Sequence, residues 1–195
     1  LALQFGRLGP KAAATAELLA DMLGQPFFNE LRTHQQLGYI VGSGLSSPQA
    51  VYTLGFVVQS AVQPPAEVSK RILAFLDSGP ELIANNSAEF GSFVAAAQTQ
   101  LREPPKRLSQ ASDMLWPRIA EGTYRFEWAR SVADAMDEVT LADVQAMMAR
   151  VLQAPKQGGF GRLLVLVHGK DHPLPSAAAL AAKIGDQYVA VGDAD

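Results

Sequence analysis

At Leu37 the apolar period of the chain changes, and that change limits what it can fold into. Upstream, Lys11 to Leu23 is rich in Ala and Leu and reads as a buried helix. From Leu37 to Val41 the period moves toward two. Gly42-Ser43-Gly44 and Ser46-Ser47-Pro48 interrupt, and then Tyr52, Leu54, Phe56 and Val58 fall on one strand face with Thr53, Gly55 and Gln59 opposite. Two adjacent strands with a short polar connection predict an antiparallel pair.

The remaining elements follow from the same kind of reading. Leu1, Leu3 and Phe5 alternate with Ala2, Gln4 and Gly6 as in a half-buried strand, which Gly9-Pro10 ends. Gly24 is expected to cap the first helix, and Pro26 to open a second helical piece carrying Phe27, Phe28 and Leu31. Pro64-Pro65 starts a helix with Val68, Ile72, Phe75 and Leu76 on one stripe, which Gly79-Pro80 kinks or ends. Asn86 and Glu89 have capping-box spacing ahead of Phe90, Phe93, Val94, Ala97 and Leu101, and Pro104-Pro105 closes that helix. Leu108 to Ile119 and Phe126 to Met136 are two further amphipathic stretches. Thr140 and Asp143 form a second capping pair before Val144, Met147, Val151 and Leu152. Leu163 to Val167 is apolar throughout and predicts an interior strand. The order gives an α+β fold, a mainly antiparallel sheet with helices packed on one face. No internal repeat or dividing linker is present, so residues 1–172 read as one domain and 173–195 as a tail with a loose end.

Composition removes several classes of function. The chain has 195 residues, 48% hydrophobic and 18% charged, enough for one domain with a real core. A net charge of −3 provides no basic face for nucleic acid. No apolar run approaches membrane-spanning length. No cysteine is present, which excludes disulfides, thiolate metal sites and cysteine nucleophiles. The chain starts at Leu1 inside an apolar run, without an initiator methionine, and reads as a piece of something longer.

Two side chains carry chemistry worth following. Arg32 and Tyr39 lie where a helix meets a strand. A guanidinium has five fixed donors that grip a carboxylate or carbonyl, and a tyrosine hydroxyl can donate to the same group. On the residues alone the simpler reading is preferred, an arginine favoured by a helix C-terminus and a tyrosine packed at a sheet rim. Other motifs are weaker. His168-Gly169-Lys170-Asp171-His172 imitates H-x-x-E-H, but Gly169 and Pro173 oppose the helix that would stack both imidazoles, and no glutamate lies between them. Gly42-Ser43-Gly44 and Gly158-Gly159-Phe160-Gly161 lack the strand–loop–helix order of a phosphate loop and read as turns or bulges. No serine sits in a G-x-S-x-G elbow. Phe90, Phe93, Trp116, Phe126 and Trp128 fall on helix patterns and are expected in the core or a domain interface.

The stretch Phe28-Asn29-Glu30-Leu31-Arg32-Thr33-His34-Gln35-Gln36-Leu37-Gly38-Tyr39-Ile40-Val41 resembles a signature of the zinc peptidases related to insulin-degrading enzyme and pitrilysin, peptidase family M16. The likeness runs almost residue for residue from Leu31 through Tyr39, and the order of elements agrees from about Leu3 to Val167. His34 and Gln35 stand where relatives often have Lys and Glu, both at turn positions. The resemblance implies an α+β LuxS/metallohydrolase-like domain from the C-terminal, non-catalytic half, with a few N-terminal strands missing. It implies that Arg32 and Tyr39 bind substrate, and that this chain holds neither a catalytic residue nor a metal. Zinc and H-x-x-E-H would belong to an N-terminal half, which would be the partner of this one around a peptide substrate. The intact protein would then be a zinc metalloendopeptidase, and the fragment by itself inactive. Bacterial members of the family imply a periplasmic location. Two other classes stay open, a non-proteolytic scaffold subunit of the same fold, as in respiratory complex core proteins, and a processing peptidase for one small precursor. A plain α+β binding module would require the signature to be chance.

Overall fold

The computed structural model describes residues 1–170, 175, 176 and 179. The chain runs β1 (Ala2–Gly6), α1 (Pro10–Phe28), a π-helical turn (Asn29–His34), β2 (Ile40–Ser46) and β3 (Tyr52–Gln59). There follow α2 (Pro65–Asp77), α3 (Gly79–Asn85), α4 (Phe90–Arg102), α5 (Leu108–Ala120), α6 (Trp128–Ala135), α7 (Leu141–Leu152) and β4 (Gly161–Leu163). The four strands form one sheet in the order β2-β3-β1-β4, antiparallel at every pairing. This is the α+β arrangement that the order of elements predicts. The tail at 173–195 and His172 lie outside the described residues, apart from 175, 176 and 179.

Strand alternation sets the core. Leu3, Phe5, Tyr52, Leu54 and Phe56 are buried, while Gln4, Val57 and Gln59 on the other sheet face are exposed. Helix α1 lies against the buried face with Leu18, Leu19, Met22, Leu23 and Phe27 inside. The Phe27 ring meets Phe56 edge-on at 5.0 Å and Phe75 of α2 at 5.2 Å, tying the sheet to two helices. Each such ring or Leu contributes roughly 1.5–3 kcal/mol by leaving water.

Local sequence signals survive to different degrees. Thr140 caps α7 with the reciprocal pair expected: its Oγ1 accepts from the Asp143 N–H, and its own N–H donates to Asp143 Oδ2. Asn86 makes no side-chain cap, and a short 3₁₀ turn at Ser87–Glu89 leads into α4 instead. The break expected at Gly24 and Pro26 does not occur. Helix α1 passes through both, because Leu23, Phe27 and Leu31 at four-residue spacing are all fully buried and hold the segment in line. Pro26 lacks the N–H that would donate to the Met22 carbonyl, and the helix continues without that one bond.

The interior strand expected at Leu163 to Val167 is also corrected. Regular pairing covers only Gly161–Leu163, at the end of the sheet, and Leu163, Val165 and Val167 are exposed. An apolar run signals burial only when it has neighbours on both sides, and β4 pairs with β1 alone among the described residues. Trp116 and Phe126 are likewise exposed, whereas Phe90, Phe93 and Trp128 pack against the core.

Candidate functional site

The turn after α1 is a π-helix, and its width aims Arg32. Leu31 is 0% exposed and Leu37 is buried, so the turn is pinned at both ends by the core. Between them the Leu37 N–H donates to Leu31 O at 3.0 Å, and Gln36 takes a left-handed φ of 50° to reverse the chain. Glu30 fixes the outer side. One carboxylate oxygen lies 3.0 Å from His34 Nδ1 and the other accepts from Gln35 Nε2 at 2.9 Å. The hydrogen bonds from Gln35 and His34 hold the Glu30 carboxyl below its usual pKa. Arg71 of α2 donates to Gln35 Oε1 at 3.3 Å, which ties the turn to the next helix.

Gly38 allows the chain to leave this turn. A Cβ built there would lie 1.8 Å from Gln59 O, so only glycine fits beside the end of β3. The Gly38 carbonyl then accepts from Arg32 Nη1 at 3.1 Å. That bond uses one of the five guanidinium donors and leaves the plane oriented.

The structure brings Arg32 and Tyr39 together. The guanidinium centre is 4.8 Å from the Tyr39 ring centroid and 5.7 Å from that of Phe28. Tyr39 is 83% exposed, so it is not packed at a sheet rim. The cation–π contacts, roughly 0.5–1 kcal/mol each at an exposed site, hold the two groups side by side without closing them off. A depression of about 630 Å³ opens over Phe28, Arg32, Thr33, Gln36, Gly38 and Tyr39. Its polar tips are the free guanidinium N–H groups and the phenol hydroxyl. They can donate to one carbonyl oxygen or oxyanion while Phe28 supplies an apolar wall. Phe28's share in this wall is the part a pairwise reading of Arg32 and Tyr39 passes over.

The other motif does not assemble. His168 follows β4 in non-helical chain, so the i, i+4 stacking of a helical zinc pair is missing on its side of the motif. Among the described residues no group of three or more His, Asp or Glu side chains is placed to hold a metal. No described helix is long and apolar enough to cross a membrane.

Comparison with known proteins gives the class. Residues 18–116 match the family model described as PQQ synthase PqqF-like, C-terminal lobe domain 4. Human insulin-degrading enzyme is 31% identical over 129 residues, 66% of this chain and 13% of that protein. Protease 3 of Salmonella typhimurium is 32% identical over 117 residues, 60% of this chain and 12% of that protein. A crystal structure of pitrilysin superposes with a TM-score of 0.65 at 24% identity, covering 76% of this chain and 16% of that one, and shares the fold. The chain therefore belongs to the M16 peptidase family, as a C-terminal domain. Within that family the matching segment is the fourth domain of a PqqF-like C-terminal lobe. It spans about an eighth of the length of the curated relatives named here.

Proposed function

We propose that this domain is the substrate-binding, non-catalytic part of a zinc metalloendopeptidase, and that Arg32 and Tyr39 grip the peptide backbone. The observation that carries the reading is the stacking of an exposed tyrosine on a guanidinium whose plane is already fixed by Gly38. Preorganised donors stabilise developing negative charge better than donors that must first be ordered. Arg32 donates to the carbonyl oxygen of the peptide, Tyr39 donates to the same or the next carbonyl, and Phe28 excludes water from one side.

The zinc belongs elsewhere in the intact protein. A catalytic zinc needs three protein ligands and an open position, and the donor set of the described residues does not fit one. The partner of this domain is then a zinc-bearing N-terminal half, and its ligand an unfolded peptide. A periplasmic location goes with this reading, as for the family's bacterial members.

The test is turnover of a quenched fluorescent peptide by the complete protein, with Arg32→Ala and Tyr39→Phe. Each variant is expected to lower kcat/KM by about 10²–10³, the range for loss of one oriented donor, with zinc content unchanged. Unchanged cleavage by both variants removes the assignment. A complete protein that binds zinc and cleaves nothing would favour a scaffold role.

A further inference from the structure

A second cavity, of about 620 Å³, lies at the opposite end of α1, where Gly9 and Pro10 begin the helix. Its charged lining comes from distant parts of the chain. Arg7 precedes α1, Arg118 lies in the last turn of α5, and Arg125 lies in the connection from α5 to α6. Glu121 is the one acidic side chain lining it. Its Oε1 accepts from the Gln49 N–H at 2.8 Å, and its Oε2 is 3.9 Å from Arg118 Nη1. Glu121 thus helps hold the β2–β3 turn, and against three arginines its single charge leaves a formal excess of two positive charges in the lining. Arg7 and Arg125 have no carboxylate within 4.0 Å among the described residues.

The polar wall is prepared for an acceptor. Tyr52 is 5% exposed and its hydroxyl accepts from Trp128 Nε1 at 2.6 Å. That bond consumes an oxygen lone pair and leaves the phenol hydrogen without an acceptor among the described residues. A buried hydroxyl rarely leaves its hydrogen unused, and Tyr52 lines the cavity. Arg125 lies over the Trp128 ring at 4.9 Å, so the Tyr52–Trp128 bond also positions this guanidinium. The first turn of α1 carries no acidic residue, and its positive dipole end adds to the field.

We propose that this cavity is an oxyanion site. It would bind a carboxylate or phosphate group, held by Arg7, Arg118 and Arg125 with the Tyr52 hydroxyl as a fourth donor. Three arginines and one carboxylate lining it leave an excess of positive charge in a partly enclosed volume. Arginine forks match the geometry of both oxyanions. The inference stands apart from the peptide grip, which lies about 28 Å away by the rise of a 19-residue helix.

The test uses the 195-residue chain with Trp116→Phe, so that Trp128 is the sole indole reporter. Inorganic phosphate, a short peptide with a free C-terminal carboxylate, and the same peptide amidated are titrated separately while Trp128 emission is followed. A saturable change with phosphate or with the free-acid peptide, and none with the amide, is expected. Arg118→Gln and Arg125→Gln should each weaken it by about tenfold or more, as for loss of a charge-assisted pair. Arg7→Gln, on an exposed loop, is the variant least able to disturb folding, and circular dichroism checks all three. Response to phosphate alone identifies a free phosphate as the source, and response to the free acid identifies a peptide carboxylate. No saturable response to either, or equal response in folded arginine variants, overturns the proposal.

Discussion

At the C-terminal end of α1, Phe28, Arg32, Gly38 and Tyr39 meet within one short stretch of chain. At its N-terminal end, Arg7, Tyr52, Arg118, Arg125 and Trp128 arrive from five separate elements and loops. The first cluster needs one turn to be correct. The second exists only when β3, α5 and α6 have all docked. One helix thus carries a locally specified grip at one end and a tertiary assembly at the other. Damage to the first should change native geometry only around that turn, and damage to the second should loosen several elements together.

The sharpest probe of that contrast is Gly38→Ala. The added Cβ would meet Gln59 O at 1.8 Å, and the neighbour is backbone, which cannot swing aside. A loss of about 3 kcal/mol or more in urea unfolding is expected, with the remaining native molecules showing a displaced Tyr39 and an unchanged Trp128 environment. A change in Trp128 emission would mean that the two ends are coupled.

Trp128→Phe attacks the other end. It leaves the Tyr52 hydroxyl without its donor and Arg125 on a poorer ring, and should cost about 1–3 kcal/mol. Hydrogen exchange should rise in β3 and α6 together while the turn at Asn29–His34 keeps its protection. Loosening confined to α6 would contradict the assembled character claimed for this end.

Between the two lies Glu17, on the middle of α1. Burial, with the neighbouring Asp21 charge as a smaller cause, pushes its carboxyl up to about 7 from an ordinary 4.5. The folded state therefore holds this proton more tightly than the unfolded chain does. Stability from this group is full below about pH 4.5, falls as pH rises toward 7, and is flat above. Glu17→Gln should remove that slope and add about 1–2 kcal/mol at pH 8, with little effect at pH 4. Melting curves at pH 4, 6 and 8 check the sign. The smallest effect is expected from Thr140→Ala, which breaks the α7 capping box at a cost of about 1 kcal/mol. It sets the scale for a purely structural change that touches neither cluster.

The same contrast governs what could be read from residues alone. The alternation from Tyr52 to Val58, the stripe in α2 and the Thr140–Asp143 cap are each decided within a few residues, and each is present as predicted. The contact of Arg32 with Tyr39 is set just as locally, since one turn brings them together. Gly24 and Pro26 misled because three buried side chains on the same stripe outweigh a local break. Leu163 to Val167 misled because sheet order, not hydropathy, decides which strand has two neighbours. Arg7, Arg118 and Arg125 left no signal, as no spacing marks residues that only docking brings together.

The π-helical turn has a consequence for chain length. In an α-helix each residue advances the next by a fixed angle, so removing one rotates everything beyond it. The turn at Asn29–His34 holds one more residue per hydrogen-bonded loop than the helix before it. A relative one residue shorter in this stretch would revert to a regular helix and keep its arginine, but that arginine would face another direction. A gap of one position here would therefore mark a lost grip even where every signature residue survives.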